Sequence, residues 1–274
     1  MGISVNTNVA ATRAGMYLSS NHANLQKSLD RLSSGRRITE PADDAGGLAV
    51  SMKLEHTSKV LRGVTHNLSN AVSLLQTQDG VLNSMADIVT RMGELKGMYD
   101  DVTKNSEDKE LYDSEFQDLA AQLNDLAGTQ FNSIALFDGG GLPVVMTETG
   151  NETFTISQHA IATPINALVT DDIVAAASTD SVGANNTSAQ YALVLEAIAG
   201  MRATNGGEVR RLQYQLANVE TQITNLTAAN GRIVDVDIAA ESANLARQQV
   251  LVQASAAMTA QANMSNDVAL MLLQ

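Results

Sequence analysis

The side chains able to do chemistry are few in this sequence, and their spacing suits no known site. Four histidines are present, His22, His56, His66 and His159. His56 and His66 lie ten residues apart with no third ligand at a recognisable spacing, and HExxH does not occur. They read as structural or solvent-exposed residues. Asp235, Asp237 and Glu241 resemble the opening of a calcium loop, but the sixth-position glycine and the closing glutamate are missing. Carboxylates entering a helix favour its positive end, which accounts for these three and for Asp43-Asp44 after Pro41. Gly139-Gly140-Gly141 precedes a strand-like run, whereas a phosphate cradle needs GxGxxG before a helix. With no cysteine, thiolate metal sites, disulfides and cysteine nucleophiles are excluded. No catalytic, cofactor-binding or metal-binding residue is assigned. The expectation is a protein that is not an enzyme.

The composition says the same about the elements that would have to position a site. Among 274 residues there are 38 Ala, no Trp, five Tyr and four Phe, so a thick aromatic core of the enzyme kind is not expected. Three prolines leave long stretches free of helix breakers: Pro41, Pro143 and Pro164 divide the chain into pieces of different character. The formal net charge of −13 argues against a nucleic-acid partner. Charge is uneven, with a net +3 over residues 1–40 and −10 over residues 93–152. Residues 1–8 carry no basic stretch and no apolar run of a cleaved signal, and Asn6 breaks a myristoylation motif. No apolar run reaches 18 residues, so no membrane span is expected.

Periodicity is the strongest signal. Alternating steps of three and four from Leu61 give Leu61, Val64, Leu68, Ala71, Leu75, Gln78, Leu82, Met85, Val89 and Met92. This is a coiled-coil seam with one polar member. An unbroken helix over residues 44–98 would be about 80 Å long and would need partner helices along its length. Tyr112, Phe116, Leu119, Leu123 and Leu126 supply one, ending at Gly128, a suitable residue for a left-handed cap. Val209, Leu212, Leu216, Val219, Ile223 and Leu226 supply another. Gly206-Gly207 is a weak point in that helix, which is nonetheless read as continuous.

Two further stripes lie near the ends. Ala11, Gly15, Leu18, His22, Leu25, Leu29 and Leu32 form the first; Val250, Ala254, Ala257, Gln261, Met264, Val268 and Met271 form the second. A helix whose apolar face has no partner in its own chain must find one elsewhere. Residues 248–274 contain no Lys or Arg, unlike amphipathic membrane anchors, so the expected partners are protein helices. Between the helical segments, Val144–Thr147 and Thr153–Ile156 read as two strands around Thr149-Gly150-Asn151-Glu152. Residues 178–188 are rich in Ser, Thr, Asn and Gly and read as an exposed loop. The fold class is mainly α: a long antiparallel helical bundle or coiled coil with a small β-hairpin.

Both ends resemble the bacterial flagellins, subunits of the flagellar filament. The resemblance rests on Asn6-Thr7-Asn8, Leu32-Ser33-Ser34-Gly35, Arg37-Ile38, Asp43-Asp44-Ala45 and Gly47-Leu48-Ala49. It continues through Gly80-Val81-Leu82 and Arg91 to Thr129-Gln130-Phe131-Asn132. At the other end it rests on Ile233, Asp235, Asp237, Arg247-Gln248, Leu251, Gln253-Ala254 and Ala260-Gln261-Ala262-Asn263. Residues 1–137 and 190–274 are covered, so the chain is similar to a short form without large outer domains.

The resemblance implies an extracellular structural subunit that self-assembles for swimming motility and is exported by the flagellar type III route without a cleaved signal. Residues 1–42 with 236–274 would form an inner helical domain, a coiled coil in the polymer. Residues 43–235 would form the bundle, with the β-hairpin and exposed loop at about 131–188. Assembly is expected to use Leu18, Leu25, Leu29, Leu32, Val250, Ala254, Ala257, Met264, Val268 and Met271. The implied partners are other copies of the chain, an export chaperone on the C-terminal helix, and the filament cap and hook–filament junction proteins. A host toll-like receptor is a further implied partner, through Arg91, Leu95 and Glu115. Gly93, Lys96, Gly97 and Met98 depart from the family there, which implies weakened rather than lost recognition. O-linked glycans, where present, are expected on Ser178, Thr179, Ser181, Thr187 and Ser188. Two other readings stay open: a hook–filament junction protein, and an enzyme-bearing variant, against which the short mid-region argues.

Overall fold

The structure, a computed structural model, describes residues 8–161 and 188–271. Five helices account for most of these residues: α1 (Val9–Ser34), α2 (Ala45–Tyr99), α3 (Ser106–Ala127), α4 (Ser188–Val234) and α5 (Ile238–Met271). Between α3 and α4 lie two antiparallel strand pairs, β1 (Gln130–Phe131) with β2 (Ile134–Ala135) and β3 (Gly141–Val145) with β4 (Thr153–Ser157). The chain divides into two compact units, Met1–Ser58 with Thr224–Gln274, and Lys59–Ile223.

Polar side chains set the helix starts. Asn8 Oδ1 accepts the Ala11 N–H at 2.9 Å to open α1. Asp44 Oδ1 does the same for Gly47 at 2.8 Å at the head of α2. Asp237 Oδ1 accepts from Ala239 at 2.9 Å and Ala240 at 3.1 Å before α5. A reciprocal capping box of Asn105 and Asp108 opens α3. The ends differ. Gly35 closes α1 in the left-handed region, at φ 69°. Gly128 closes α3 at φ −81°, so the left-handed cap expected there is not used. Its N–H instead bonds the carbonyls of Asn124 and Asp125, each at 3.2 Å.

Within the unit of residues 59–223, the seam of α2 is the core. All ten positions from Leu61 to Met92 are buried, and Leu68, Leu75, Gln78, Leu82, Met85, Val89 and Met92 are 0% exposed. The polar member is accounted for by its bonds. Gln78 Nε2 donates to the carbonyls of Leu136 at 2.9 Å and Ser157 at 3.3 Å, tying the strand region to the helix. Opposing stripes supply Phe116 and Leu123 from α3 and Val194, Ile198, Leu212 and Val219 from α4, all buried. Arg202 of α4 reaches Asp79 at 2.9 Å and Asn83 at 2.8 Å, while the position of Gly93 meets Tyr191. Residue numbers thus fall along α4 as they rise along α2, and the two run antiparallel.

The strands depart from expectation in two places. Gly141 and Leu142 belong to β3, whereas Met146 and Thr147 belong to the turn, where Met146 N–H bonds Glu152 O and Gly150 takes φ 71°. Pro143 does not cut the chain; it pairs with Thr155 inside β3. A two-stranded sheet has only edge strands, where a residue without an N–H is tolerated. The β1–β2 pair was not expected from the strand pattern. Its connection puts Asn132 at φ 49° and Ser133 at φ 64°, the two positive values of a tight primed hairpin turn.

Helix α4 runs unbroken through Gly206-Gly207, and no atom lies within 4 Å of where a Cβ would stand at either glycine. Gly206→Ala and Gly207→Ala should therefore each raise stability, by about 0.5–1 kcal/mol, through the lower entropy of the unfolded chain. Urea unfolding checks this. A lowered midpoint would show that the helix uses these glycines.

Candidate assembly surface

In the unit containing both ends, α1 and α5 pair antiparallel. Asn8 Nδ2 donates to Ala262 O at 2.9 Å, and Asn21 Nδ2 reaches Leu251 O and Ser255 Oγ, each at 3.4 Å. Asn244 Nδ2 donates to Ser28 Oγ at 3.4 Å, and Arg31 lies 3.9 Å from Glu241. On α1 the half-buried apolar side chains are Ala11, Ala14, Leu18, Leu25 and Leu32, with Ser28 buried among them. On α5 the packed face runs Glu241, Asn244, Leu245, Gln248, Val252, Ser255 and Thr259. About half of the residues on this interface are polar, and their bonds fix the register of one helix on the other.

The stripes read from the sequence only partly coincide with this seam. On α1, His22 is exposed and Leu29 is 47% exposed. A strict three–four count runs at 3.5 residues per turn while a straight helix runs at 3.6, and the face drifts. On α5, Val250 at 63% exposure, Met264 at 58%, and Ala254 and Ala257 all lie on the face opposite the packed one. The side chains of Val268 and Met271 lie outside the described ones. Val9, Met16 and Tyr17 of α1 and Met258 of α5 add further exposed apolar surface.

The segments joining α1 and α5 to the rest of the chain are clamped to each other. Arg36 and Asp235 form an antiparallel bridge; Arg37 N–H donates to Val234 O at 2.6 Å and Val236 N–H to Gly35 O at 3.1 Å. The Arg37 guanidinium adds two bonds to Ile233 O. Asp43 and Asp44, taken together as helix-entry carboxylates, have separate roles. Asp44 caps α2, whereas Asp43 pairs with Lys27 and accepts from the backbone of Thr39 and Glu40 and the Thr39 hydroxyl. That loop-closing role carries no periodic or capping signature in the sequence.

Lys27, and then the Thr39 and Glu40 donors, hold the Asp43 carboxyl well below the ordinary carboxylate range. A depressed folded value means the contribution is complete above the unfolded value, about 3.9, and fades as pH falls through the folded one. Asp43→Asn should thus be less stable than the parent at pH 7. The gap should persist to pH 4 and narrow only in stronger acid. Denaturation midpoints from pH 7 to pH 2 test this; a gap that closes above pH 5 would contradict it.

The remaining expected positions are scattered. Arg91 Nε donates to Glu115 Oε1 at 2.8 Å and Nη1 to Glu94 Oε2 at 3.1 Å, which brings α2 and α3 together at a surface pair. Leu95 is 0% exposed and lies in the core, not on that surface. His56 and His66 are exposed, and His159 Nε2 lies 2.9 Å from Asn205 Oδ1. Among the described residues, no cluster of three or more metal-ligating side chains occurs, and no helix is long and apolar enough to cross a membrane. Ser178, Thr179, Ser181 and Thr187 lie outside the described residues, and Ser188 is the first residue of α4.

A family model described as the bacterial flagellin N-terminal helical region matches residues 5–141, and one described as the C-terminal helical region matches 193–273. The chain belongs to the bacterial flagellin family. It is similar to a flagellin of Halalkalibacterium halodurans, 32% identical over 271 residues that cover 98% of this chain and 99% of that one. It is also similar to the "Flagellar filament 33 kDa core protein" of Treponema phagedenis, 31% identical over 288 residues, with 98% and 99% covered. A crystal structure of Bacillus cereus flagellin shows 24% identity and a TM-score of 0.48, over 60% of this chain and 94% of that one. This flagellin is a structural, self-assembling filament subunit and not an enzyme. The similar proteins are named flagellins and filament core proteins, so the hook–filament junction reading has no support.

Proposed function

We propose that residues 1–42 with 236–274 form the inner, filament-core domain, and that their exposed apolar faces are covered by neighbouring subunits. The observation that carries this is the second face of α5, where Val250, Ala254, Ala257 and Met264 point away from α1. The α1–α5 seam is half polar, and among the described residues none of its apolar side chains is more than half-buried. Ordering each residue costs about 1–2 kcal/mol of backbone entropy, which that seam alone offsets poorly. Lateral packing of many copies supplies the missing area, so ordering of the ends is coupled to polymerisation. A contact repeated by a rotation that does not close gives an open helical tube. Limited proteolysis followed by negative-stain microscopy tests the coupling. Ends cut in the dilute monomer and protected in long uniform tubes support it; ends that resist equally in both states refute it.

The same reading gives the chain further partners. It has the subunit exported by the flagellar type III route without a cleaved leader, escorted by a chaperone on the C-terminal helix. It has the subunit contact the cap and junction proteins at the two filament ends. Arg91 and Glu115 form a surface that a toll-like receptor would engage, with Leu95 beneath it holding α2 in place. Arg91→Ala should weaken the response of receptor reporter cells to the monomer, and an unchanged response would refute the assignment. Sugars on native filaments are expected within residues 170–188, where peptide mass spectrometry would find them.

A further inference from the structure

We propose that Met16, Met52, Met258 and Met264 form an oxidation-sensitive set that controls whether a subunit can polymerise. Each is more than half exposed: 68%, 63%, 64% and 58% in that order. All four lie in the unit made of Met1–Ser58 and Thr224–Gln274. In the other unit, Met85 and Met92 are 0% exposed, and Met98, Met146 and Met201 are half-buried. The chain has no cysteine, so no thiol competes for an oxidant. Among the described side chains, a peroxide reaching the monomer therefore meets these four thioethers first.

The step is balanced with hydrogen peroxide as co-reactant. The thioether sulfur attacks one peroxide oxygen, the S–O bond forms as O–O breaks, and the leaving hydroxide takes the remaining proton to give water. Sulfur is oxidised by two electrons and the peroxide is reduced. The product sulfoxide replaces a flexible apolar side chain with a strong, polar acceptor. An oxidised face can no longer be buried against another helix without leaving that acceptor unpaired. Oxidation and burial in the polymer thus exclude each other: free subunits are modified, and assembled ones are shielded.

This inference rests on the exposed faces of α1 and α5, and on the start of α2 that carries Met52, being subunit contacts, and the test separates the two. Full-length monomer is treated with hydrogen peroxide, mapped by peptide mass spectrometry, and polymerised, with sedimentation reporting the critical concentration. The four exposed methionines should oxidise before Met85 and Met92, and the critical concentration should rise about tenfold or more while far-ultraviolet circular dichroism is unchanged. The variant with Leu at all four positions should polymerise as well after treatment as before. In preformed filaments the same four sulfurs should oxidise about tenfold more slowly than in monomer. Treated wild type that polymerises normally, or equal oxidation rates in monomer and filament, would overturn the proposal. Untreated protein that forms no filaments would instead overturn the assembly reading beneath it.

Discussion

Removing residues 251–274 should leave a soluble, folded protein that forms no filaments at any concentration where the full chain does. The deletion takes away Ala254, Ala257 and Met264 from the exposed face of α5, and Val252 and Ser255 from the face packed on α1. It spares every fully buried side chain from Leu61 to Val219. Thermal unfolding followed by circular dichroism should therefore keep the main transition, while sedimentation shows no polymer. A subtler change points the same way. Ala257→Asp places a charge on an exposed position, where it costs the monomer almost nothing. Buried between subunits without a partner it costs several kcal/mol, so the critical concentration should rise by about a hundredfold or more. Filaments of native appearance from either protein would show that this face is not a subunit contact.

These expectations could be framed because the apolar stripes were legible as spacing, though not as partners. Leu61 to Met92 showed both period and depth, since a seam buried on one side needs nothing beyond the three–four count. The terminal stripes showed the period alone. In α1 the packed face is marked by Asn21 and Ser28, polar residues that a hydrophobic count passes over. In α5 the packed face is marked by Asn244, Gln248 and Ser255, and the apolar stripe lies on the other side. Small polar residues let two helices approach while bonding across the gap, so the intrachain face looked like the solvent face. The hairpin at Asn132-Ser133 was missed for a local reason. Asn tolerates the left-handed region, but Ser there gives no such signal. The loop-closing role of Asp43 was not legible because Lys27 is brought to it only by the fold, and its bonds to Thr39 follow no helical or strand period.

Gln78 and Leu82, one turn apart on the same seam, should respond differently to substitution. Leu82→Ala removes a fully buried side chain and should cost about 2–5 kcal/mol through lost burial and the cavity left behind. Against a total stability of about 5–15 kcal/mol, that is a large fraction, and it should lower the urea midpoint of the whole unit. Gln78→Leu keeps the volume but removes the donor from Leu136 O and Ser157 O. Two carbonyls then lose a bond, at about 1–3 kcal/mol. The Gln78 Oε1 atom is itself buried without a partner, so replacing it relieves one orphan acceptor and the net loss should be the smaller of the two. The distinguishing readout is local. Hydrogen exchange in Gln78→Leu should speed up at residues 134–136 and 157–161 before the helices open, whereas Leu82→Ala should show no such preference. If Gln78→Leu matches the parent in both midpoint and exchange, the two carbonyls have found other donors, and the strand region is held by the Ser157–Glu208 bonds instead.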